Sequence, residues 1–331
     1  MNRRIFIRNS AGCLAMISGG SLFSACSRET GYYSPEDFAS APKIDAHFHY
    51  DFLNDALLKY VPSIHMHILT INVDAGEPLD MQLEIGETMK KSHPGAVDFL
   101  GTFDPANFGD AAFAGEAIAR IKRCMDAGAK GVKIWKNIGM VLQYDDGRYV
   151  MVDHPAFAPV FAYLEKEGIP LAAHLGEPRN CWLPYEEITM GNDLNYYRNH
   201  PEYHMYRHPE APTYEQQIEA RDHILERYPQ LTFVGAHIGS LEWSLDEVAR
   251  RFDAYPNFFV DLAARMGHVH LHAIRDRKKT RDFFIKYQDR ILYGSDWYFE
   301  ESDLKDFEQR CKNLYAGWQK HWSFFATGET L

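Results

Sequence analysis

The chain has 331 residues, 46% of them hydrophobic and 24% charged, with 35 Lys and Arg against 46 Asp and Glu. That length and apolar content support a sizeable core without disulfides or a partner, and they exclude a disordered or collagen-like chain. A formal charge of −11 argues against affinity won by neutralising phosphates, so nucleic acid is not an expected partner.

Residues 1–26 read as an export signal rather than as part of the fold. Arg3, Arg4 and Arg8 precede an uncharged, moderately apolar stretch, and small residues lead to Cys26. The run Arg3-Arg4-Ile5-Phe6-Ile7-Arg8 resembles a twin-arginine signal, and Phe23-Ser24-Ala25-Cys26 resembles a lipobox with an atypical first residue. The expected location is the bacterial periplasm, or the cell envelope through a lipid anchor on Cys26; an ordinary secretory signal with a chance cysteine is the alternative. No later stretch of about 20 apolar residues exists to span a membrane. Cys124, Cys181 and Cys311 make neither a disulfide framework nor a metal-finger spacing, and one bridge between two of them is left open.

From Pro42 onward short β-like runs alternate with helical segments. The predicted strands are Lys43–His49, Ile68–Val73, Val97–Phe103, Gly131–Trp135, Pro170–Leu175, Leu231–His237, Asn257–Leu262 and Arg290–Asp296. Between them lie amphipathic stretches such as Phe157, Val160, Phe161, Leu164 and Leu241, Leu245, Val248, Phe252, with Ser244 and Glu247 placed as a capping box. Eight β-then-α units predict an α/β fold, a (β/α)8 TIM-type barrel forming one domain over residues 42–331. The connection 176–212 is too long for a turn and carries Trp182, Tyr185, Tyr196, Tyr197, Tyr203, Tyr206 and three histidines. In a barrel it falls on the C-terminal face, as an aromatic lid or, alternatively, as a homodimer contact. Residues 297–331 suffice for one helix and a short tail; a truncated reading frame is an open reading, and it would remove no candidate ligand.

His47-Phe48-His49 ends the first strand, and period-two alternation turns both imidazoles to the same side. With 16 histidines in the chain, a His-x-His is expected about once by chance, so the pair counts only in context. His65/His67 precede their predicted strand and His268/His270/His272 follow theirs near charged residues, which reads as solvated or locally hydrogen-bonded. The context for His47 and His49 is that His174, His237 and Asp296 each end another apolar strand. Five such groups buried at one rim call for something cationic to satisfy them. Three imidazoles and a carboxylate suit one divalent metal, zinc before manganese or another ion, with a position open for a water whose pKa the metal lowers.

The set Ile44-Asp-Ala-His47-Phe-His49, Ala-His174-Leu-Gly-Glu177, Val-Gly-Ala-His237-Ile-Gly-Ser and Tyr-Gly-Ser-Asp296-Trp resembles the amidohydrolase superfamily, in its amidohydrolase-related (amidohydrolase 2) branch, over roughly residues 42–297. The resemblance implies a metal-dependent hydrolase-like barrel with one divalent metal on His47, His49, His174 and Asp296. It also implies an acid/base or electrophilic role for His237 beside the metal water, with Asp296 sharing the proton work. In binuclear members the position of His237 ligates a second metal. The branch contains hydrolases of small carboxylate-bearing compounds and nonoxidative decarboxylases, so the resemblance leaves the reaction open.

Lys133 should point inward, since Val132 and Ile134 face the helices; it then anchors a substrate carboxylate, pairs internally, bridges two metals as a carbamate, or is structural. Glu177 has the His-x-Gly-Glu spacing of adenosine-type deaminases, but Trp297 after Asp296 breaks their paired Asp-Asp, and a ligand-orienting or loop-capping role remains. Arg179 on the lid and Arg265 after the seventh strand are candidate anchors for an anionic substrate, each with Asp261 as a possible partner. The expected activity is hydrolysis of a small organic substrate; a decarboxylase is the alternative, and a deaminase or an exported binding protein without turnover are the remaining ones.

Overall fold

The computed structural model describes residues 32–328. The expected export segment, with Cys26, lies outside the described residues. Nine parallel strands form one sheet in the order β8-β7-β6-β5-β4-β3-β2-β1-β9: β1 Lys43–His49, β2 Met66–Ile71, β3 Val97–Thr102, β4 Val132–Ile134, β5 Leu171–Ala173, β6 Phe233–Gly235, β7 Phe258–Asp261, β8 Ile291–Leu292 and β9 Trp297–Tyr298. Of the predicted eighth strand, Arg290–Asp296, only Ile291–Leu292 is strand, and β9 begins just beyond its end. β8 pairs with β7 (Val260 opposite Ile291) and β9 with β1 (Phe48 opposite Trp297). Between them the Ala46 N–H donates to the Tyr293 carbonyl at 2.9 Å and the Asp296 N–H to that of His47 at 2.8 Å, which closes the sheet into a TIM-type barrel.

The gap between β8 and β9 has a steric cause. A Cβ at Gly294 would lie 2.6 Å from the His47 Cβ, so the two backbones approach as only glycine allows, and Asp296 then takes φ +65°. The same departure shortens the other ladders. His174 and His237 lie beyond the last paired residues of β5 and β6, and His237, Ile238, Ser240 and Ala264 adopt positive φ. The predicted strands were too long at this end because alternation cannot register a chain that bends away to aim a side chain. β2 is corrected at its start: it begins at Met66, so His67 lies within the strand, its Nε2 3.1 Å from Asp98 Oδ2.

Strand alternation sorts the interior. Val132, Ile134, Leu171, Ala173, Phe233 and Val260 pack outward in the large core beneath the helices, with Val160, Phe161 and Leu164 of the helix Ala158–Glu167 and Val248 and Phe252 of the helix Leu245–Ala254. Ser244 caps the latter, its hydroxyl accepting from the Glu247 N–H at 3.3 Å. Leu69, Ile71, Leu100 and Ala172, on the opposite faces, form a small separate cluster. Lys133 shares that inward side and is buried. Cys124, Cys181 and Cys311 are buried free thiols, so the bridge left open by the sequence does not form. Among the described residues no helix is long and apolar enough to cross a membrane.

Lys43 opens β1 as a buried cation. Its Nζ donates to the carbonyls of Phe38, Ala41 (2.8 Å) and Ile64 (2.5 Å), tying the segment before the barrel to the turn before β2. Lys43→Met would leave three carbonyls without their donor and is expected to lower unfolding free energy by about 3 kcal/mol, read from the urea midpoint at pH 7.

Candidate metal centre and its cavity

The ends of β1, β5, β6 and β7 and the turn between β8 and β9 converge on one rim. His47 Nε2 and His49 Nε2 lie 3.1 and 3.2 Å from the same atom, Asp296 Oδ1. Among the described residues, these three offer ligand atoms all within 4.8 Å of one another. Burial alone would raise the Asp296 carboxyl, but the rings of His237 and His47 hold it well below the usual carboxylate range.

His47 is oriented from behind. Its Nδ1 is 2.7 Å from Asp261 Oδ2, while Asp261 Oδ1 accepts the backbone N–H of His237 at 2.7 Å and of Ala263 at 3.1 Å. Burial opposes a charge on Asp261, yet the facing His47 ring draws the carboxyl down to about 2. An Nδ1–H donated to that carboxylate leaves Nε2 as the metal-facing atom. Burial and Lys133 disfavour a protonated His47, but Asp261 and Asp296 outweigh them and raise its pKa. A ring with a carboxylate at each nitrogen is a place for a shared cation.

A second chain of bonds orients His174. His237 Nδ1 lies 3.0 Å from the Ala263 carbonyl, which only accepts, so this nitrogen carries the proton and Nε2 is the acceptor. His174 Nδ1, at 3.1 Å, donates to it. The His174 Nε2 that remains is buried and has no partner among the described residues. Burial lowers the pKa of both rings, His237 to about 3 and His174 well below its ordinary value, keeping the neutral form that ligates. Three converging donors and an orphaned imidazole nitrogen in the same cavity fit a divalent ion. His174 stands next to His237 and outside the tight triad.

The cavity over this rim measures about 620 Å³ and is lined by Lys133, Trp135, Lys136, Glu177, Tyr196, Tyr197, Arg265 and Tyr298 besides the ligand candidates. Burial pushes Lys133 down to about 8 against the pull of Asp261 and Asp296. Glu177 is ion-paired with Lys136, a partner the sequence did not single out. Arg265 is buried; its Nη1 donates to the Ala264 carbonyl at 3.2 Å, its Nε has no partner, and no carboxylate lies within 4.0 Å of it among the described residues. Arg179 is a correction. Its guanidinium sits 4.4 Å over the Trp243 ring and faces a separate surface depression, because the turn Arg179–Trp182 sends the next residue, Asn180, inward instead. Asp261 is a second correction, since it pairs with His47 rather than with an arginine.

The connection 176–212 folds into short turns around the helix Gly191–Asn199, which sets Asp193, the exposed Tyr196 and the buried Tyr197 along the cavity, while Tyr203 and Tyr206 are exposed away from it. Its histidines serve the segment itself: His204 Nε2 bonds the Leu183 carbonyl at 2.9 Å, and His200 and His208 lie near Glu202 and Glu210. Of the trio in the helix Met266–Arg275, His272 is hydrogen-bonded to the Glu242 carbonyl at 2.7 Å, a partner 30 residues away rather than a local one. His268 is buried rather than solvated, 3.4 Å from Asp193 Oδ2. Tyr298, stacked on His49 at 4.5 Å between ring centroids, carried no signal in the sequence beyond its place after Asp296.

A closed parallel barrel whose polar groups gather where the strands end defines a TIM-type barrel with its site on the C-terminal face. The chain belongs to the amidohydrolase family, whose pattern matches residues 44–319. No curated protein matches the chain. Among solved structures it is similar to a 2,6-dihydroxybenzoate decarboxylase complexed with 2,6-dihydroxybenzoate (19% identity, 76% of this chain and 79% of that one, TM-score 0.45). It is also similar to a 4-oxalomesaconate hydratase from Rhodopseudomonas palustris (11% identity, 76% and 81%, TM-score 0.41).

Proposed function

We propose that the protein is a metal-dependent hydrolase of a small, carboxylate-bearing organic substrate, holding one divalent ion, zinc before manganese, on His47, His49, His174 and Asp296. The carrying observation is the approach of two imidazole nitrogens to Asp296 Oδ1 at 3.1 and 3.2 Å on the wall of a cavity that also exposes Lys133 and Arg265. When bound, the ion supplies Lewis acidity to a water and to the carbonyl oxygen under attack. The remaining work falls to the chain. Asp261 holds the His47 tautomer, and His237 does the same for His174. Asp296 Oδ2, without a hydrogen bond among the described residues, is the group that takes the proton of the attacking water and returns it to the leaving atom; His237, both of whose ring nitrogens are engaged, joins it only once its Nε2 gives up the hydrogen bond from His174. Lys133 and Arg265 hold the carboxylate, and Tyr196 and Tyr197 keep bulk water from the reacting bond.

Elemental analysis of the purified protein, paired with a screen of lactones, esters, amides and aromatic carboxylates, tests this. One divalent ion per chain and a product that has gained the elements of water are expected. Carbon dioxide released from a carboxylated ring without hydrolysis would replace the reaction with decarboxylation at the same site. Absence of metal together with absence of turnover would sink both. Arg265→Met is expected to raise KM for a carboxylate-bearing substrate roughly tenfold or more, with a neutral analogue much less affected, because a charged hydrogen bond to the anion is lost.

A further inference from the structure

The turn that carries Asp296 is held to the sheet by few backbone bonds. β8 and β9 contribute two residues each, and residues 293–296 between them make two single backbone bonds to β1, at Tyr293 and Asp296, and accept one at the Ser295 carbonyl from the Ala264 N–H at 3.2 Å, rather than a ladder. Asp296 itself has a φ that L side chains rarely adopt. Side chains add to these bonds.

The C-terminal helix Phe307–Ala326 grips the turn on both sides. Trp318, buried, donates its indole N–H to Asp45 Oδ2 at 2.8 Å. The other oxygen of Asp45 accepts the backbone N–H of Ser295 at 2.9 Å and of His47 at 3.3 Å. One turn on, His321 Nδ1 is 2.9 Å from the Tyr293 hydroxyl, and its ring lies 5.5 Å from that of Trp297. At Gly317 a Cβ would fall 2.2 Å from the Trp297 ring, so helix and turn are in contact there. Residues 293, 295 and 297 are thus tied directly or through Asp45 to one helix face, and Asp296 is the residue left between them.

We propose that Trp318 is a positioning residue for the metal centre: acting through Asp45, it fixes the Ser295 and His47 backbones so that the Asp296 carboxylate stays aimed at His47 and His49. Trp318 touches neither ligand side chain nor cavity. Packing against Phe48 and Trp297 accounts for a large ring at this position, but not for an indole N–H spent on a carboxylate whose second oxygen serves the site backbone. The inference rests on the reading of Asp296 as a metal ligand.

The test uses the full chain and Zn(II) or Co(II) as the probe. Trp318→Phe keeps most of the ring volume and removes the donor. Zinc affinity, by competition with a chromophoric chelator, is expected to fall roughly tenfold or more, as outer partners of metal ligands typically cost when removed. The visible absorption of the Co(II)-loaded protein should change with it. Trp322→Phe, one turn further on, is the matched control: that indole N–H is buried without a partner among the described residues, so its loss should leave affinity within twofold whatever it does to the melting temperature. Asp45→Asn combined with Trp318→Phe should be no weaker than the worse single variant, since both cut one path. If Trp318→Phe does not fold, Asp45→Asn alone carries the test, its amide now facing a donor. Affinity within twofold of the parent in Trp318→Phe, equal losses in Trp322→Phe, or additive losses in the double variant would overturn the proposal while leaving the metal centre intact. A parent protein that binds neither ion would instead remove the metal reading itself.

Discussion

Asp296→Asn is expected to lower divalent-metal affinity by more than about 100-fold, above the 10–100-fold range typical of outer partners, and to abolish turnover, with the far-ultraviolet circular dichroism unchanged. Asp296 is the anion on which two imidazole nitrogens close at 3.1 and 3.2 Å. An amide keeps the shape and one oxygen but removes the charge that a divalent ion neutralises. It also removes the group assigned to move the proton. Its side chain is partly exposed and the turn is held through backbone N–H groups that an Asn retains, so the fold should persist. Equilibrium dialysis against zinc followed by elemental analysis decides it. Metal retained at the parent's stoichiometry and affinity would place the ion elsewhere.

Asp261→Asn should cost nearly as much although Asp261 need not touch the ion. Its two oxygens accept from three donors: the His47 ring at 2.7 Å, the His237 N–H at 2.7 Å and the Ala263 N–H at 3.1 Å. An Asn offers one acceptor and turns an NH2 toward a donor, so either His47 loses the partner that sets its tautomer or the left-handed His237 loses its backbone anchor. Metal affinity is expected to drop about 10- to 100-fold. Apo-protein stability should fall by about 3 kcal/mol, since the group is fully buried and a donor is left facing a donor. Chelator competition and urea unfolding of the metal-free protein measure the two separately. Unchanged affinity beside a stability loss would reduce Asp261 to a structural anchor.

The candidate ligands were legible because each stands in or just beyond the last part of a strand-like run: His47 and His49 in the last three residues of Lys43–His49, His174 after Leu171–Ala173, Asp296 a few residues after Ile291–Leu292. Strand alternation was enough to send Lys133 inward. Arg179 was misplaced for the opposite reason. It lies in a loop with no period, where nothing local says which of Arg179 and Asn180 turns to the interior. Lys136 escaped notice and His268 was read as solvated or locally bonded because their partners, Glu177 and Asp193, come from segments far away in the chain.

The amino-acid order by itself determined the number of β-then-α units, which faces are apolar, and which side chains arrive at the C-terminal rim, since these follow from local period and from the right-handed crossover that parallel strands require. Only the tertiary structure decided how those groups are used: that Asp261 serves His47, that His237 leaves one His174 nitrogen without a partner, that the eighth strand breaks so Asp296 can turn in, and that a helix from the far end of the barrel braces it. Hydrogen bonds between residues more than 200 positions apart depend on where folded surfaces meet, and no window along the chain contains that information.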